Sequence, residues 1–74
     1  MTKYYTYVDG ECLSVDTVAS EAITSAMYYG SITEEEAKEV IADAGHFGSK
    51  TNASGRALHP SDFPGVVIWT EEIE

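Results

Sequence analysis

Cysteine, basic residues and long apolar runs are scarce in this 74-residue sequence. Cys12 is the single cysteine, which excludes an internal disulfide and any metal site built on two or more thiolates. No stretch approaches the about 18 apolar residues needed to cross a bilayer, and the first residues lack the apolar run of a signal peptide. Because the chain is also too short to enclose two cores, we expect one cytoplasmic domain, residues 1–74, that does not span a membrane.

The scarcity of basic residues is the most informative feature of the composition. Four Lys and Arg face thirteen Asp and Glu, which gives a formal net charge of −9. Nucleic acid and anionic membranes are therefore poor direct partners. The hydrophobic content of 43% and the aromatic content of 11% exceed what an acidic disordered tail carries. We therefore expect the negative charge to lie on a folded body.

The first third of the sequence predicts a hairpin followed by a helix. Residues 3–8 are rich in β-branched and aromatic types, Asp9-Gly10 is a strong turn dipeptide, and residues 11–13 complete a second strand. A helix should then end near Gly30, with that glycine in the left-handed conformation. Its apolar positions recur on one face, which predicts a buried side made of Val18, Ala19, Ala22, Ile23, Ala26 and Met27.

The remainder predicts a second helix, a long connection and a closing strand. Thr33 and Glu36 have the spacing of a capping box, and an apolar stripe follows until Gly45. Residues 46–65 lose all periodicity, with room for a short strand at 56–58, and residues 66–69 form an apolar strand that ends on a buried Trp69. The predicted fold is α+β in the order β-β-α-α-β. Two helices pack on one face of a small, mostly antiparallel sheet of about three strands.

Candidate catalytic and metal-ligating residues are few and poorly spaced. Cys12, His46, His59 and Asp62 are not paired at spacings that fix two metal ligands on one element. A nucleophile would need an adjacent base inside an enclosed pocket, for which so short a chain has little interior left. We therefore expect no metal, no cofactor and no enzymatic activity.

Carboxylates are the residues with the clearest pattern. Glu35, Glu39 and Asp43 fall at i, i+4 and i+8 on the second helix, about 6 Å apart. Lys38 can pair with Glu34, and no other cation on that helix offsets the remaining carboxylates. Further acids load the C-terminus. The candidate partner-binding residues are Glu34, Glu35, Glu36, Glu39, Asp43, Glu71, Glu72 and Glu74.

In size, charge and this helical row of carboxylates, the chain resembles small acidic phage-encoded inhibitors that mimic DNA, of the anti-restriction and anti-CRISPR type. The resemblance is one of class, because those proteins share no sequence motif. It implies a phage or mobile-element origin, action in the cytoplasm of a bacterial cell, and a basic nucleic-acid-binding protein as partner. The carboxylates would then occupy a surface that grips DNA, such as the duplex- or PAM-reading surface of a CRISPR effector.

Three other interpretations fit the same sequence. The charge could serve solubility alone, as in many small acidic proteins. Alternatively, the chain is an interaction module that binds through an exposed aromatic surface of Tyr4, Tyr5, Tyr7 and Tyr29, since aromatic anchors often dominate interfaces. An antitoxin-like neutraliser of a basic toxin is the third, and charge alone does not separate it from DNA mimicry.

Overall fold

The chain begins with a β-hairpin, as predicted. In the computed structural model, which describes residues 1–47 and 52–73, β1 spans Thr2–Val8 and β2 spans Glu11–Asp16. Asp9 and Gly10 both have positive φ, 49° and 87°, which is the conformation that a tight hairpin turn requires. β2 runs three residues further than the expected residues 11–13.

Two helices follow the hairpin. α1 spans Ala19–Gly30 and α2 spans Glu34–Ala42. The predicted capping box is confirmed, since the Glu36 N–H donates to Thr33 Oγ1 and the Thr33 N–H donates to Glu36 Oε1. In the described ranges, neither these helices nor any other has the length and apolar content to cross a membrane.

The buried side of α1 is confirmed except at its beginning, where Val18 and Ala19 are both exposed. Ala22 and Ala26 are completely buried, and Ile23 and Met27 pack against the same core. Val18 was expected on that side, but it is the N-cap residue and its side chain is 48% exposed. Because its backbone is still extended, the helical spacing does not yet apply to it.

The sheet has four strands and mixed direction. β4, Val66–Glu72, pairs antiparallel with β1, and β3, the two residues Gly45–His46, pairs parallel with β4. The strand order is β2-β1-β4-β3. The α+β class with two helices is therefore confirmed, whereas the count of about three strands and the order β-β-α-α-β missed β3.

β3 was not predicted, because a strand of two residues is too short to show the alternation of apolar and polar residues that marks a strand. Gly45 was expected only to end α2, but it begins this strand beside Trp69. A Cβ added at Gly45 would lie 2.9 Å from Cε2 of the Trp69 ring. In the long connection, Ala57 is an isolated bridge residue instead of part of a strand, and Pro60–Asp62 form a short 3-10 helix.

Both faces of the sheet are covered. The helix face holds Ile68, with Ala22, Ala26 and Ala37 packed around it. The opposite face carries Trp69, whose predicted burial is confirmed at 2% exposure. Aromatic side chains from the connection lie against it, with the Phe47 and Phe63 ring centroids 5.5 and 6.2 Å from that of Trp69.

The end of α1 is set by a close approach to β4. The left-handed residue is Ser31, with φ of 52°, while Gly30 is the last helical residue. The expectation that Gly30 itself takes the left-handed conformation is therefore wrong. A Cβ on Gly30 would lie 2.4 Å from Cγ2 of Val66, so the glycine is required for helix-to-strand contact.

Gly30→Ala tests that contact. Helix propensity alone favours alanine by about 1 kcal/mol, whereas a Cβ overlapping a branched side chain typically costs about 1–3 kcal/mol. We expect net destabilisation, measured as a lower urea midpoint. A stabilised variant would show that α1 can move away from β4 at no cost.

Thr6→Val should stabilise the protein. The Thr6 hydroxyl is fully buried in the core and has no hydrogen-bond partner among the residues that the structure describes, so its desolvation is uncompensated. Valine has nearly the same shape, and we expect a gain of about 1 kcal/mol in the free energy of unfolding. Urea denaturation measures it.

Thr70→Val is the matched control for this substitution. Thr70 is also a buried strand residue, but its hydroxyl contacts the Gly45 carbonyl at 3.4 Å and the His46 ring nitrogen. Loss of those contacts should destabilise the protein. Equal effects at the two positions would contradict the assignment of Thr6 as unsatisfied.

Candidate partner-binding surface

Three carboxylates form an exposed row along α2, which we call the acidic ridge: Glu35, Glu39 and Asp43. Glu35 and Glu39 lie four residues apart in α2, so they are offset by about 6 Å along the helix and about 40° around it. Asp43 was expected on the helix as well, but it is the C-cap residue and follows Ala42, the last helical residue. All three are exposed, while Ala37 on the other side of α2 is fully buried. Among the described residues, none of the three side chains has an ion-pair or hydrogen-bond partner. The ridge therefore presents its full negative charge to solvent.

The other two predicted acids of α2 have partners within the helix. Glu34 forms an ion pair of 3.0 Å with Lys38. Glu36 is held in the capping box with Thr33. Both remain exposed, but their carboxylates stabilise α2 itself. The structure therefore separates the α2 acids into two that are engaged locally and three that are available.

The C-terminal acids lie elsewhere on the molecule. Glu71 and Glu72 are at the far end of β4 from Val66, and five residues of strand span about 17 Å. Glu71 Oε1 accepts a hydrogen bond of 2.9 Å from the Tyr5 hydroxyl, and Glu72 accepts one from Thr2. Glu74 lies outside the described residues. The seven predicted acids that the structure describes thus do not form one continuous surface.

A groove lies beside the acidic ridge, between α2 and the start of β4. Its volume is about 470 Å³, and we call it the α2–β4 groove. Its lining combines apolar and acidic residues. These are Gly30, Ile32, Val40, Gly65 and Val66 together with Glu36, Glu39 and Asp43.

The α2–β4 groove continues along the edge of the sheet. A second depression of about 160 Å³ shares Val40, Asp43 and Val66 with it and extends to Val67 and Ile68. Neighbouring strand residues point to opposite faces, so a surface that includes all three must wrap around the edge of β4. Sequence reasoning missed this groove because its walls come from segments more than twenty residues apart.

Two polar clusters have structural roles. The Ser14 and Ser25 hydroxyls both donate to Asp16 Oδ2, at 2.9 and 2.8 Å, which ties α1 to β2. His59 caps the 3-10 helix, since its Nδ1 accepts the Ser61 N–H at 3.2 Å and lies 2.8 Å from Ser61 Oγ. Because the Ser61 backbone N–H donates to His59 Nδ1, the His59–Ser61 contact serves as a helix cap. Within residues 1–47 and 52–73, no three His, Cys, Asp or Glu residues cluster as metal ligands would.

The expected aromatic surface is not a single surface. Tyr4 packs against the helix core, whereas Tyr5 and Tyr7 project from the opposite face of β1. Tyr7 is buried at 9% exposure, and burial raises its pKa. Tyr29 lies at the end of α1, where its ring packs edge-on against Tyr28. Alternation along β1 therefore separates residues that are neighbours in sequence.

No family model matches this sequence, and neither a curated protein nor a solved structure is similar to it. The functional argument depends on the geometry and charge of the described residues.

The hydrogen bond between Tyr5 and Glu71 can be tested by titrating the Tyr5 hydroxyl. The hydrogen bond to the Glu71 carboxylate raises the pKa of Tyr5 above the usual value of 10.0, because it stabilises the protonated phenol. Glu71→Gln should lower the Tyr5 pKa, followed by NMR of the ring protons from pH 8 to 12.

The same contact affects stability at high pH. A pKa that is higher in the folded state contributes stability below pH 10, and this contribution is lost as pH rises through the folded value. Glu71→Gln should reduce that loss. Glu35→Gln, a change of equal charge on α2, should leave the Tyr5 titration unchanged; an equal shift in both variants would mean that net charge and not the hydrogen bond is responsible.

Proposed function

We propose that this protein binds the basic surface of a nucleic-acid-binding protein and inhibits it by mimicking DNA, without catalysis. The observation that carries the proposal is the acidic ridge. Glu35 and Glu39 on α2 and Asp43 at its C-cap form a row of exposed charges that have no ion-pair partner among residues 1–47 and 52–73. Such a row resembles a run of backbone phosphates in charge and in scale.

The ridge is held rigidly, which favours binding. The capping box fixes the first turn of α2, and Ala37 seats the helix on the sheet. Because the helix backbone is already ordered, only the side-chain rotamers of the ridge remain to be fixed when it meets a partner. A flexible acidic tail of the same charge would have to order its backbone as well.

The ridge is also costly for the folded protein. Two unit charges about 6 Å apart in water repel by roughly 0.7 kcal/mol, and a domain of this size has only a few kcal/mol of stability. The one cation on α2, Lys38, pairs with Glu34, which is not a member of the ridge. Solubility requires net charge but no such alignment, so the alignment supports a binding role.

The sharper form of the proposal is an anti-CRISPR-type inhibitor that covers the surface with which an effector grips duplex DNA or its PAM. Size, net charge and the acidic ridge support it. Antitoxin-like neutralisation of a basic toxin would use the same charges. The two differ in whether DNA competes with the inhibitor for its partner.

Affinity capture tests the proposal. The immobilised protein should retain DNA-binding proteins from a bacterial lysate at ~50 mM salt, release them on addition of duplex DNA, and hold them many-fold more weakly at ~200 mM salt, because counterions compete for both surfaces. Glu35→Lys with Glu39→Lys should abolish most of this retention. Each released protein is then purified, and inhibition of its DNA binding is measured by fluorescence anisotropy.

The matched control is Glu11→Lys with Glu21→Lys. It makes the same change in net charge at exposed positions on β2 and in the first turn of α1, so it should retain the same proteins. If both double variants lost retention of these proteins equally, net charge alone would explain the effect. Partners that resist salt and that DNA does not displace would contradict DNA mimicry.

A further inference from the structure

The α2–β4 groove is built on backbone that is held in place by the fold. Gly65, which precedes β4, donates its N–H to Asp9 Oδ1 at 2.8 Å and accepts the Asp9 N–H at 2.9 Å. Gly30, at the end of α1, lies so close to Val66 that a Cβ there would overlap it. On the other side, Ala37 is completely buried and seats α2 on the core. The groove is therefore formed before any ligand arrives, as binding sites usually are.

The helix side of the groove carries apolar and acidic residues together. Glu39 and Val40 follow Glu36 by three and four residues, so both are its neighbours on the surface of α2. Asp43 adds a further carboxylate at the C-cap. Val40 and, across the groove, Val66 are only partly buried, so carbon surface is left exposed between them. A ligand in the groove therefore meets hydrocarbon and carboxylate at the same time.

Two of the carboxylates in the groove are available to a ligand. Glu39 and Asp43 are exposed, and among residues 1–47 and 52–73 their side chains have no ion-pair or hydrogen-bond partner. Glu36 is partly engaged, because its Oε1 accepts the Thr33 N–H at 3.1 Å. Charge complementarity therefore calls for a cationic ligand, and the exposed valines call for one with an apolar portion.

An arginine side chain meets both requirements. Its aliphatic stem covers apolar surface while its head stays charged, and its planar guanidinium donates to carboxylates in a fixed, often bidentate geometry. Lysine presents a strongly hydrated point charge instead. A second copy of this chain is disfavoured as occupant, because each copy carries a net charge of −9.

We propose that the α2–β4 groove receives an arginine side chain of the partner protein, with its stem against Val40 and Val66 and its guanidinium on Glu39 and Asp43. This rests on the proposed function and specifies which kind of partner residue is bound. Glu35 belongs to the acidic ridge but does not line the groove. It contributes attraction at a distance, whereas the groove contributes the contact that selects arginine. Arginines enclosed in this way often dominate the energy of an interface.

A second acidic depression, at the other end of β4, is a weaker candidate. Its lining residues are His46, Phe47, Thr70, Glu71 and Glu72. Glu71 and Glu72 accept hydrogen bonds from the Tyr5 and Thr2 hydroxyls. An arginine there would have to share carboxylates that already have partners within the fold.

The test uses the blocked tripeptide acetyl-Gly-Arg-Gly-amide as the probe. When it is titrated into the labelled protein at ~50 mM salt, the methyl signals of Val40 and Val66 should shift. Nuclear Overhauser effects should connect those methyl groups to the arginine methylenes. A citrulline tripeptide, which has nearly the same shape without the charge, should bind at least about tenfold more weakly. A lysine tripeptide should bind at least about twofold more weakly.

Glu39→Gln and Glu35→Gln are the matched variants for this titration. Each removes one charge from the acidic ridge at an exposed position, but only Glu39 lines the groove. Glu39→Gln should weaken binding of the arginine tripeptide about three- to fivefold, and Glu35→Gln should weaken it less than about twofold. Equal weakening by both variants, arginine contacts that lie outside the groove, or equal affinity for the citrulline or the lysine tripeptide would each overturn the inference.

These results are separable from those of the capture experiment. If the arginine tripeptide does not contact the groove but DNA still displaces the captured proteins, the groove inference fails and DNA mimicry stands. If the tripeptide binds as expected but DNA displaces no captured protein, the inhibitor proposal fails and the groove stands as an arginine site.

Discussion

The pairing of β1 with β4 is the constraint on which the rest of the structure depends. Its seven residue pairs run from Thr2 opposite Glu72 to Val8 opposite Val66, so it joins the two ends of the chain. The Met1 amino group and carbonyl add hydrogen bonds to Ile73 at this end. Closing so long a loop costs entropy that only the buried core can offset. The hairpin and the two helices are local structures that acquire a shared core once this pairing forms.

This register also assigns every residue of the two central strands to a face. Thr6 and Ile68 are opposite each other on the helix face, and Tyr5 and Trp69 are opposite each other on the other face. One face is built from small helical residues and the other from rings of the connection, including Phe47 and Phe63. A shift of one residue would exchange these two sets. The register therefore determines both cores and places Val66 beside α2.

Local features were predictable from the sequence, whereas features made by distant segments were not. The Asp9-Gly10 turn, the Thr33 capping box and the buried alanines of α1 each depend on residues within one or two turns of chain. β3, by contrast, exists only because β4 lies beside Gly45. The positions of Glu35 and Glu39 on an exposed helix side followed from periodicity alone. Their separation from Glu71 and the presence of the groove required the tertiary arrangement.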